Sequence, residues 1–263
     1  MSALLVSEYR KFVSTRMWWV LLLIMAAYMA VTAAALGFAV GAPNGGSGPV
    51  LDPTHAPELV YTTAASVGYA FPALIGVLAV AGEFRHGTIT PTFLATPQRG
   101  RVLVAKMLAA IPMGLAYGAA GTAASTLAGA LTLHAQSVDP LLGAGHTWQI
   151  IVRSVLAMAL WLVVGVALGS FLTNQVAAIV TLLVFTQFVE PLARMALGQT
   201  SWGSSVGQYL PGAAGDAVAG GSMYSALGSG ALLPLWAGFL VLLGYAVIFA
   251  LIGRFTTLRK DIS

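Results

Sequence analysis

The stretch that decides the fold is residues 18–40, which read WWVLLLIMAAYMAVTAAALGFAV. These 23 residues include no charged side chain. A helix needs about 20 apolar residues to cross the roughly 30 Å hydrocarbon core of a bilayer. The apolar core of a cleaved signal peptide has only about 7–15 residues. The segment is therefore predicted to be a retained membrane helix and not a leader.

The composition of the whole chain agrees with a membrane environment. Hydrophobic residues make up 58% of the 263 residues, and charged residues make up only 8%, against about 25% in a typical soluble domain. Apolar segments recur along the chain, and the six predicted spans are residues 18–40, 61–81, 107–133, 155–172, 176–189 and 232–253. We therefore predict an all-α, polytopic membrane protein whose residues 1–263 form a single transmembrane domain.

The basic residues predict how the six spans are oriented. Only Arg153 and Arg194 fall on one side of the membrane. Ten basic residues fall on the other side: Arg10, Lys11, Arg16, Arg85, Arg99, Arg101, Lys106, Arg254, Arg259 and Lys260. Because basic loops stay in the cytosol, both termini are predicted to be cytosolic. The net charge of +4 is spread over span ends, which indicates a lipid bilayer as the partner and excludes a nucleic-acid footprint.

Two segments outside the spans also have helical signals. In residues 1–17, Leu5, Tyr9 and Phe12 recur at helical spacing, which predicts an N-terminal helix lying in the membrane interface. The alternative is a loosely ordered basic tail. The segment 190–231 is more apolar than disordered chain usually is. It is predicted to hold short re-entrant or interfacial helices before the sixth span.

The chain lacks the groups that most catalytic sites need. It has no cysteine, its four histidines have no metal-ligand spacing, and it has no Gly-x-x-x-x-Gly-Lys-Ser/Thr phosphate loop. Residues 203–207 fit Gly-x-Ser-x-Gly but lack the strand–turn–helix context of a hydrolase. No charged residue lies near the middle of a predicted span, which argues against a proton-coupled transporter. We expect no catalytic residue, no metal site and no cofactor bound by this chain.

Two glycine pairs predict close helix packing. Gly114-x-x-x-Gly118 lies in the third predicted span and Gly165-x-x-x-Gly169 in the fourth. Such pairs let two helix backbones approach each other. The sequence leaves open whether the partner helix belongs to the same chain or to a second copy.

The connection between the second and third predicted spans has the signals of a short helix. Thr88 is a candidate N-cap, Pro91 is tolerated in a first turn, and Pro97 ends the helix. The expected helix has about nine residues, lies parallel to the membrane and displays Ile89 and Phe93 together with Leu94. Charged residues flank this apolar stripe, which predicts a docking surface for another protein. The alternative is a solvated loop whose basic residues only anchor the topology.

The predicted docking surface comprises Glu83, Arg85, Gly87, Thr88, Ile89, Phe93, Leu94, Thr96, Pro97, Arg99 and Arg101. Two runs stand out in it, namely Glu83-Phe84-Arg85-x-Gly87-Thr88-Ile89 and Ala95-Thr96-Pro97-x-Arg99, followed by Lys106. They resemble the hallmark cytosolic loop of ABC type-2 permeases, the membrane subunits of bacterial ABC exporters of the daunorubicin-resistance and sodium-extrusion kind. Pro91 inside the short helix departs from the pattern of that family.

The resemblance extends to the six spans, the N-terminal helix and the loop before the sixth span. It implies that the short helix is a coupling helix, which seats in a groove of a separate ATPase subunit. It also implies a plasma-membrane complex of two permeases, as a homodimer or heterodimer, with two ATPases. ATP and Mg²⁺ then bind only to the ATPases, and this chain is not an enzyme.

A transport path and an exit gate complete the prediction. A cavity without central charges suits an amphipathic or hydrophobic cargo, such as a drug, lipid or peptide-like molecule, and the candidate lining residues are Tyr69, Tyr117, Met158 and Gln187. Glu190 and Arg194 lie one helical turn apart at the outer end of the fifth predicted span. They form either an exit gate or a plain surface ion pair. The alternatives to an exporter are an ATPase-independent binding or immunity protein and an ion-coupled secondary transporter.

Overall fold

A computed structural model describes residues 2–41, 56–222 and 232–257, and every regular element in these ranges is a helix. Most of the glycine-rich connector after the first span lies outside these ranges, as do residues 223–231, Arg259 and Lys260. The helices are α1 (Ser2–Ser14), α2 (Met17–Gly41), α3 (Ala56–Ser66), α4 (Ala70–Arg85), α5 (Ile89–Ala95), α6 (Arg99–Ala135), α7 (Gly145–Phe171), α8 (Gln175–Val184), α9 (Glu190–Gly198), α10 (Ser201–Gly207), α11 (Pro211–Ala219) and α12 (Leu235–Thr256). A π-helical turn, Phe185–Val189, joins α8 to α9.

Six helical segments of the described ranges are long and apolar enough to cross a membrane, and they are referred to as spans one to six. They are Met17–Val40, Ala56–Arg85, Arg99–Ala135, Gly145–Phe171, Gln175–Gly198 and Leu235–Thr256. The prediction of an all-α chain with six such helices is confirmed for the described residues. Span two consists of α3 and α4, and span five consists of α8, the π-helical turn and α9.

The bounds of span five differ from the prediction in a way that affects the candidate gate. The predicted end was Val189, but the helix continues to Gly198. Pro191 does not end it: this residue lies in the first turn of α9, directly after the π-helical turn Phe185–Val189, and the helix continues through it. Glu190 and Arg194 therefore lie inside span five and not at its outer end.

Span two is interrupted near its middle. α3 ends at Ser66, and α4 starts at Ala70 after a short turn in which the N–H of Phe71 donates to the carbonyl oxygen of Gly68 at 3.0 Å. The sequence predicts a kink at Pro72, and the break lies just before this residue, which falls in the first turn of α4. Span three, in contrast, is continuous through Pro112.

Spans two, three and four form the interior of the bundle, and their glycines permit very close backbone contact. A Cβ atom at Gly165 of α7 would collide with the carbonyl oxygen of Ala73 in α4. A Cβ atom at Gly114 of α6 would lie 2.7 Å from the Cα atom of Ala159 in α7. Both glycine pairs thus pack against helices of the same chain, which is one of the two alternatives that the sequence leaves open.

Spans one, five and six surround this interior and expose most of their apolar side chains. In the most apolar stretch of 18 residues of each span, 22%, 22% and 17% of the residues are buried in spans one, five and six. The corresponding values for spans two and four are 72% and 67%. Exposed apolar surface on this scale is stable when lipid covers it. The outer layer is therefore the part of the bundle suited to contact the bilayer.

The bundle has two different ends. α1 and α5 lie together at one end, called the α5 end, where the side chain of Lys11 reaches Thr92. α10 and α11 lie at the opposite end, called the α11 end. All nine residues of α11 are buried, and this short helix packs against α7, α12 and α3. Two short helices, α10 and α11, are present in the described part of segment 190–231, and their re-entrant or interfacial placement stays a prediction.

Candidate functional site

The turns at both ends of α5 follow from its flanking residues. Gly87 has a φ of +66°, a left-handed conformation that glycine adopts without steric cost, and it turns the chain after α4. Thr88 occupies the N-cap position without a side-chain cap hydrogen bond. Pro91 lies in the first turn, and Pro97 forces the preceding residue, Thr96, out of the helical conformation. The helix has seven residues, two fewer than predicted.

α5 has one face packed against the bundle and one face exposed. Ile89 and Phe93 are only 2% and 8% exposed and belong to the main apolar core, whereas Leu94 is 78% exposed. The prediction that α5 displays all three side chains is therefore wrong for Ile89 and Phe93. Residues four apart lie on the same side of a helix, while neighbouring positions are about 100° apart. The sequence indicated an apolar stripe, but most of it is used for packing within the chain.

A network of four charged side chains lies behind α5 and is called the α5-end charge network. It consists of Glu8 and Lys11 from α1, Glu83 from α4 and Lys106 from α6. Lys106 Nζ donates to Glu8 Oε2 at 2.5 Å and to Glu83 Oε1 at 2.7 Å. Lys11 Nζ donates to Glu8 Oε1 at 2.7 Å and lies 3.1 Å from Glu83 Oε1. Each lysine thus contacts both glutamates.

The network balances its charges in a largely buried position. Glu8 is 1% exposed and Lys106 is 3% exposed. A buried charge without a partner costs several kcal/mol, so each of these groups depends on the others. Partial burial lowers the pKa of Lys11, but the hydrogen bond to Glu8 and the attraction of Glu83 outweigh it, so its pKa is raised above the usual 10.5. The side chain of Lys11 is therefore held in its charged form.

The network also fixes α5 in place. Lys11 Nζ donates a further hydrogen bond to Thr92 Oγ1 of α5 at 3.0 Å. Four helices that are separate in the sequence are thus joined by one group of side chains. Of the four residues of the α5-end charge network, only Glu83 was part of the predicted docking surface. The opposite charges of Glu8 and Lys11, three residues apart, were the signal that sequence reasoning could have used.

The residues that flank α5 also divide into a group that is packed against the bundle and a group that is exposed. Arg99 holds its guanidinium 5.1 Å from the centre of the Phe93 ring, and Arg85 Nη1 donates to Gln175 Oε1 at 3.4 Å. Glu83, Thr96 and Arg99 are partly buried. The residues of the predicted docking surface that remain exposed are Arg85, Gly87, Thr88, Leu94, Pro97 and Arg101. Apart from Leu94, this exposed set is polar, basic or turn-forming.

A cavity of about 780 Å³ lies between α1 and α5, beside the charge network. Phe12, Trp18 and Ile75 form part of its apolar wall, and Lys11 and Glu83 form part of its polar wall. A space with these two kinds of lining can accept an amphipathic group.

The four residues predicted to line a cargo path do not share one open space in the single chain. Tyr69 is buried, stacks on Trp161 at 4.4 Å between ring centres, and donates its hydroxyl hydrogen to the carbonyl oxygen of Thr186. Tyr117 and Met158 are fully buried in the main core, and Gln187 is exposed on span five. Their role in transport stays a prediction.

Glu190 and Arg194, the predicted gate, belong to a second group of charges at the α11 end, called the α11-end charge cluster. Its third member is Asp216 of α11, and all three side chains are buried. Arg194 Nη2 lies 2.6 Å from Asp216 Oδ2. Glu190 Oε1 accepts hydrogen bonds from the N–H groups of Gly212 at 2.5 Å and Ala213 at 3.1 Å. Glu190 thus caps the N-terminus of α11 from another helix.

This arrangement corrects the alternative of a surface ion pair, because both predicted residues are buried. It also adds Asp216, which the sequence prediction missed. A single acidic residue within the apolar stretch 211–219 was the available signal, since such residues need a buried partner. Glu190 Oε2 is buried and has no hydrogen-bond partner among the described residues.

No group of three or more His, Asp or Glu side chains within the described ranges is arranged to hold a metal ion. His146, for example, contacts one carboxylate, with Nε2 3.0 Å from Glu58 Oε1. The chemistry that these residues offer is that of charge pairing and helix docking.

The comparisons with known proteins give no identification. A scan of the sequence against models of protein families finds no match, and a search among curated proteins finds none. The resemblance to ABC type-2 permeases therefore rests on the loop between spans two and three and on the order of the helices along the chain, and it stays a hypothesis.

Proposed function

We propose that the chain is the transmembrane permease subunit of an ATP-driven ABC exporter of the type-2 family. In this proposal two separate ATPase subunits bind ATP and Mg²⁺, and a second permease copy, identical or different, completes the complex. The α5 end and both termini face the bacterial cytosol. α1 lies in the membrane interface, α5 is the coupling helix, and α11 is a re-entrant helix on the outer side.

The observation that carries the proposal is the division of α5 into a fixed face and an exposed face. Ile89 and Phe93 anchor the helix to the core, and Thr92 is bonded to Lys11. Leu94 points away from the bundle. Only three residues separate α5 from span two, and only three residues separate α5 from span three. A partner that pushes on the exposed face would therefore move both spans with it.

The α5-end charge network supports the same mechanism. It connects α1, the end of α4 and the start of α6 through short ion pairs. Because the cost of separating these buried charges is high, the connected helix ends would move as one unit. A partner bound at α5 would thereby act on three helices of the membrane domain.

The sorting of basic residues supports the proposed orientation. The described basic residues of α1, α4 and the start of α6 gather at the α5 end. Arg194 pairs with Asp216 of α11, and a Cβ atom at Gly220, which ends α11, would lie 3.3 Å from Arg153 Nη1. The only two basic residues predicted to be outside thus both lie beside α11, as the positive-inside rule requires if the α5 end is cytosolic.

The cargo is proposed to be amphipathic or hydrophobic, because the buried charged side chains of the described residues are confined to the two charged groups near the ends of the bundle. In the proposed cycle the cargo leaves at the α11 end. Glu190 and Arg194 hold α11 in its closed position through Gly212 and Asp216. Neutralising Glu190 is expected to change export without preventing assembly of the complex.

The test of the proposed docking surface is Leu94→Asp in the affinity-tagged full chain, expressed in its own cells and purified in a mild detergent. An ATPase subunit with a phosphate-binding loop is expected to co-purify with the unmodified chain and to be reduced about tenfold or more by Leu94→Asp, because truncating an anchor residue costs about 2 kcal/mol or more. Phe93→Asp is not a clean test, since it places a carboxylate in the core.

Val206→Asp is the matched control, because Val206 is an exposed apolar residue at the opposite end. It is expected to leave co-purification unchanged. If Leu94→Asp retains as much ATPase as Val206→Asp, α5 is not the docking helix. If no ATPase accompanies the unmodified chain, the exporter proposal fails and an ATPase-independent binding or immunity protein becomes the better interpretation.

An ion-coupled secondary transporter is the third candidate, and the buried carboxylates of Glu190 and Asp216 are the observation in its favour. It predicts cargo movement driven by an ion gradient in vesicles without ATP. The exporter predicts movement only when the ATPase subunits and ATP are present.

A further inference from the structure

Three arginines from two different spans converge on one cleft at the α5 end. Arg99 and Arg101 lie at the start of α6, and Arg254 lies in the last turn of α12. The guanidinium carbon of Arg254 lies 3.4 Å from the position that a Cβ atom at Gly100 would occupy, so Arg254 covers the residue between the other two. The cleft has a volume of about 510 Å³, and Val104 is its apolar lining residue.

The charge of this cleft favours an anion. Neither Arg101 nor Arg254 forms an ion pair within residues 2–41, 56–222 and 232–257, and both side chains are exposed. Bringing like charges together costs energy, which an anion between them would offset. The planar guanidinium fork matches the oxygens of a phosphate group, which it can bind through two parallel hydrogen bonds.

The apolar surface next to the cleft identifies the kind of anion. On α6, Val104, Leu108 and Ile111 share one face, and all three are exposed. On α12, Leu251 and Val247 lie three and seven residues before Arg254 and are also exposed. Two apolar strips therefore lead from the arginines along spans three and six. A lipid has a phosphate and acyl chains in this arrangement, whereas a soluble phosphate has no use for the strips.

We propose that this cleft binds the headgroup phosphate of an anionic phospholipid, with its acyl chains along the apolar strips of α6 and α12. Basic pockets between membrane helices are suited to such headgroups. Topology alone requires basic residues at this end, but it does not require three of them to meet from two spans. The inference concerns the chain by itself and does not depend on an ATPase partner.

The test compares two double variants of the purified full chain that remove the same charge. Arg101→Gln/Arg254→Gln removes two arginines of the cleft, and Arg10→Gln/Arg16→Gln removes two exposed arginines of the N-terminal region. Retention of phosphatidylglycerol and of phosphatidylcholine is measured by native mass spectrometry. Each arginine near a lipid headgroup contributes about fivefold in affinity, so the cleft variant is expected to bind phosphatidylglycerol about thirtyfold more weakly. The control is expected to stay within about twofold of the unmodified chain.

Two further measurements separate the possible sources of the phosphate and guard against misfolding. Arg101→Lys/Arg254→Lys keeps the charge without the fork and is expected to bind with intermediate affinity, which a misfolded chain would not do. Glycerol 3-phosphate is expected to compete poorly. Three outcomes would each overturn the proposal. The two glutamine variants could lose phosphatidylglycerol equally, or the unmodified chain could retain phosphatidylcholine as well as phosphatidylglycerol. Glycerol 3-phosphate could also compete fully for the cleft.

Discussion

The two buried groups of charges, one at each end of the bundle, differ in their balance. The α5-end charge network pairs two carboxylates with two ammonium groups. The α11-end charge cluster has two carboxylates, from Glu190 and Asp216, and one guanidinium, from Arg194. The first joins residues as far as 98 positions apart, and the second joins residues about 22 positions apart.

This difference shows two ways of keeping a carboxylate buried. At the α5 end, each carboxylate is held by cationic side chains, so the loss of one lysine leaves a charge without compensation. At the α11 end, Glu190 is held by backbone N–H groups at a helix N-terminus, which carry a partial positive charge. The first arrangement depends on side chains from distant segments, whereas the second depends on α11 being in place.

The largest effect is expected for Lys106→Met, which removes the most buried cation of the α5-end charge network. Glu8 would then keep only Lys11 as a partner. We expect the free energy of unfolding in detergent, measured by titration with sodium dodecyl sulfate, to fall by about 3–5 kcal/mol. Adding Glu8→Gln should recover part of this loss. A loss under 1 kcal/mol would mean that the network contributes little to stability.

Asp216→Asn should have an intermediate effect at the other end. The amide keeps the shape of the side chain but weakens the bond to Arg194, and a hydrogen bond to a charged group contributes about 1.5–3 kcal/mol. Hydrogen exchange of α11 should accelerate, because this pair fixes α11 to span five. Asp139→Asn, at an exposed turn that accepts a hydrogen bond from the N–H of Leu141, is the control and should change neither quantity. Unchanged exchange in Asp216→Asn would show that packing alone holds α11.

The smallest effect is expected for Glu190→Gln. The amide oxygen can still accept the hydrogen bonds from Gly212 and Ala213, and the change removes the excess negative charge of the cluster. The expected loss of unfolding free energy is at most about 1 kcal/mol. Glu8→Gln, the same substitution in the balanced network, should cost several times more. Equal losses in the same titration would remove the distinction between the two ends.

The six spans could be predicted from the sequence because a long uncharged run has few stable environments other than a membrane. The position of α5 could also be predicted, since Gly87 and Pro97 act on the backbone within a few residues. Which face of α5 is free could not be predicted. That depends on α1, whose Lys11 reaches Thr92 across 81 positions of the sequence.

The partner of Arg194 could not be predicted for a similar reason. Helical spacing indicated Glu190, four residues before it, because local rules consider only one helix. In the structure α11 returns to the bundle and places Asp216 against Arg194 and two of its own N–H groups against Glu190. Only the tertiary arrangement shows that three residues share the site.

The π-helical turn Phe185–Val189 determines the rotation of α9 about its axis, and with it the side of span five on which Glu190 and Arg194 lie. It accommodates one residue more than an α-helical turn does. If one residue of this turn were deleted, α9 would rotate by roughly 100° about its axis. The carboxylate of Glu190 would then face hydrocarbon instead of α11. The hydropathy profile of such a chain would be unchanged, but a polar group would be directed at the acyl chains. We expect the cell's quality-control proteases to degrade this chain.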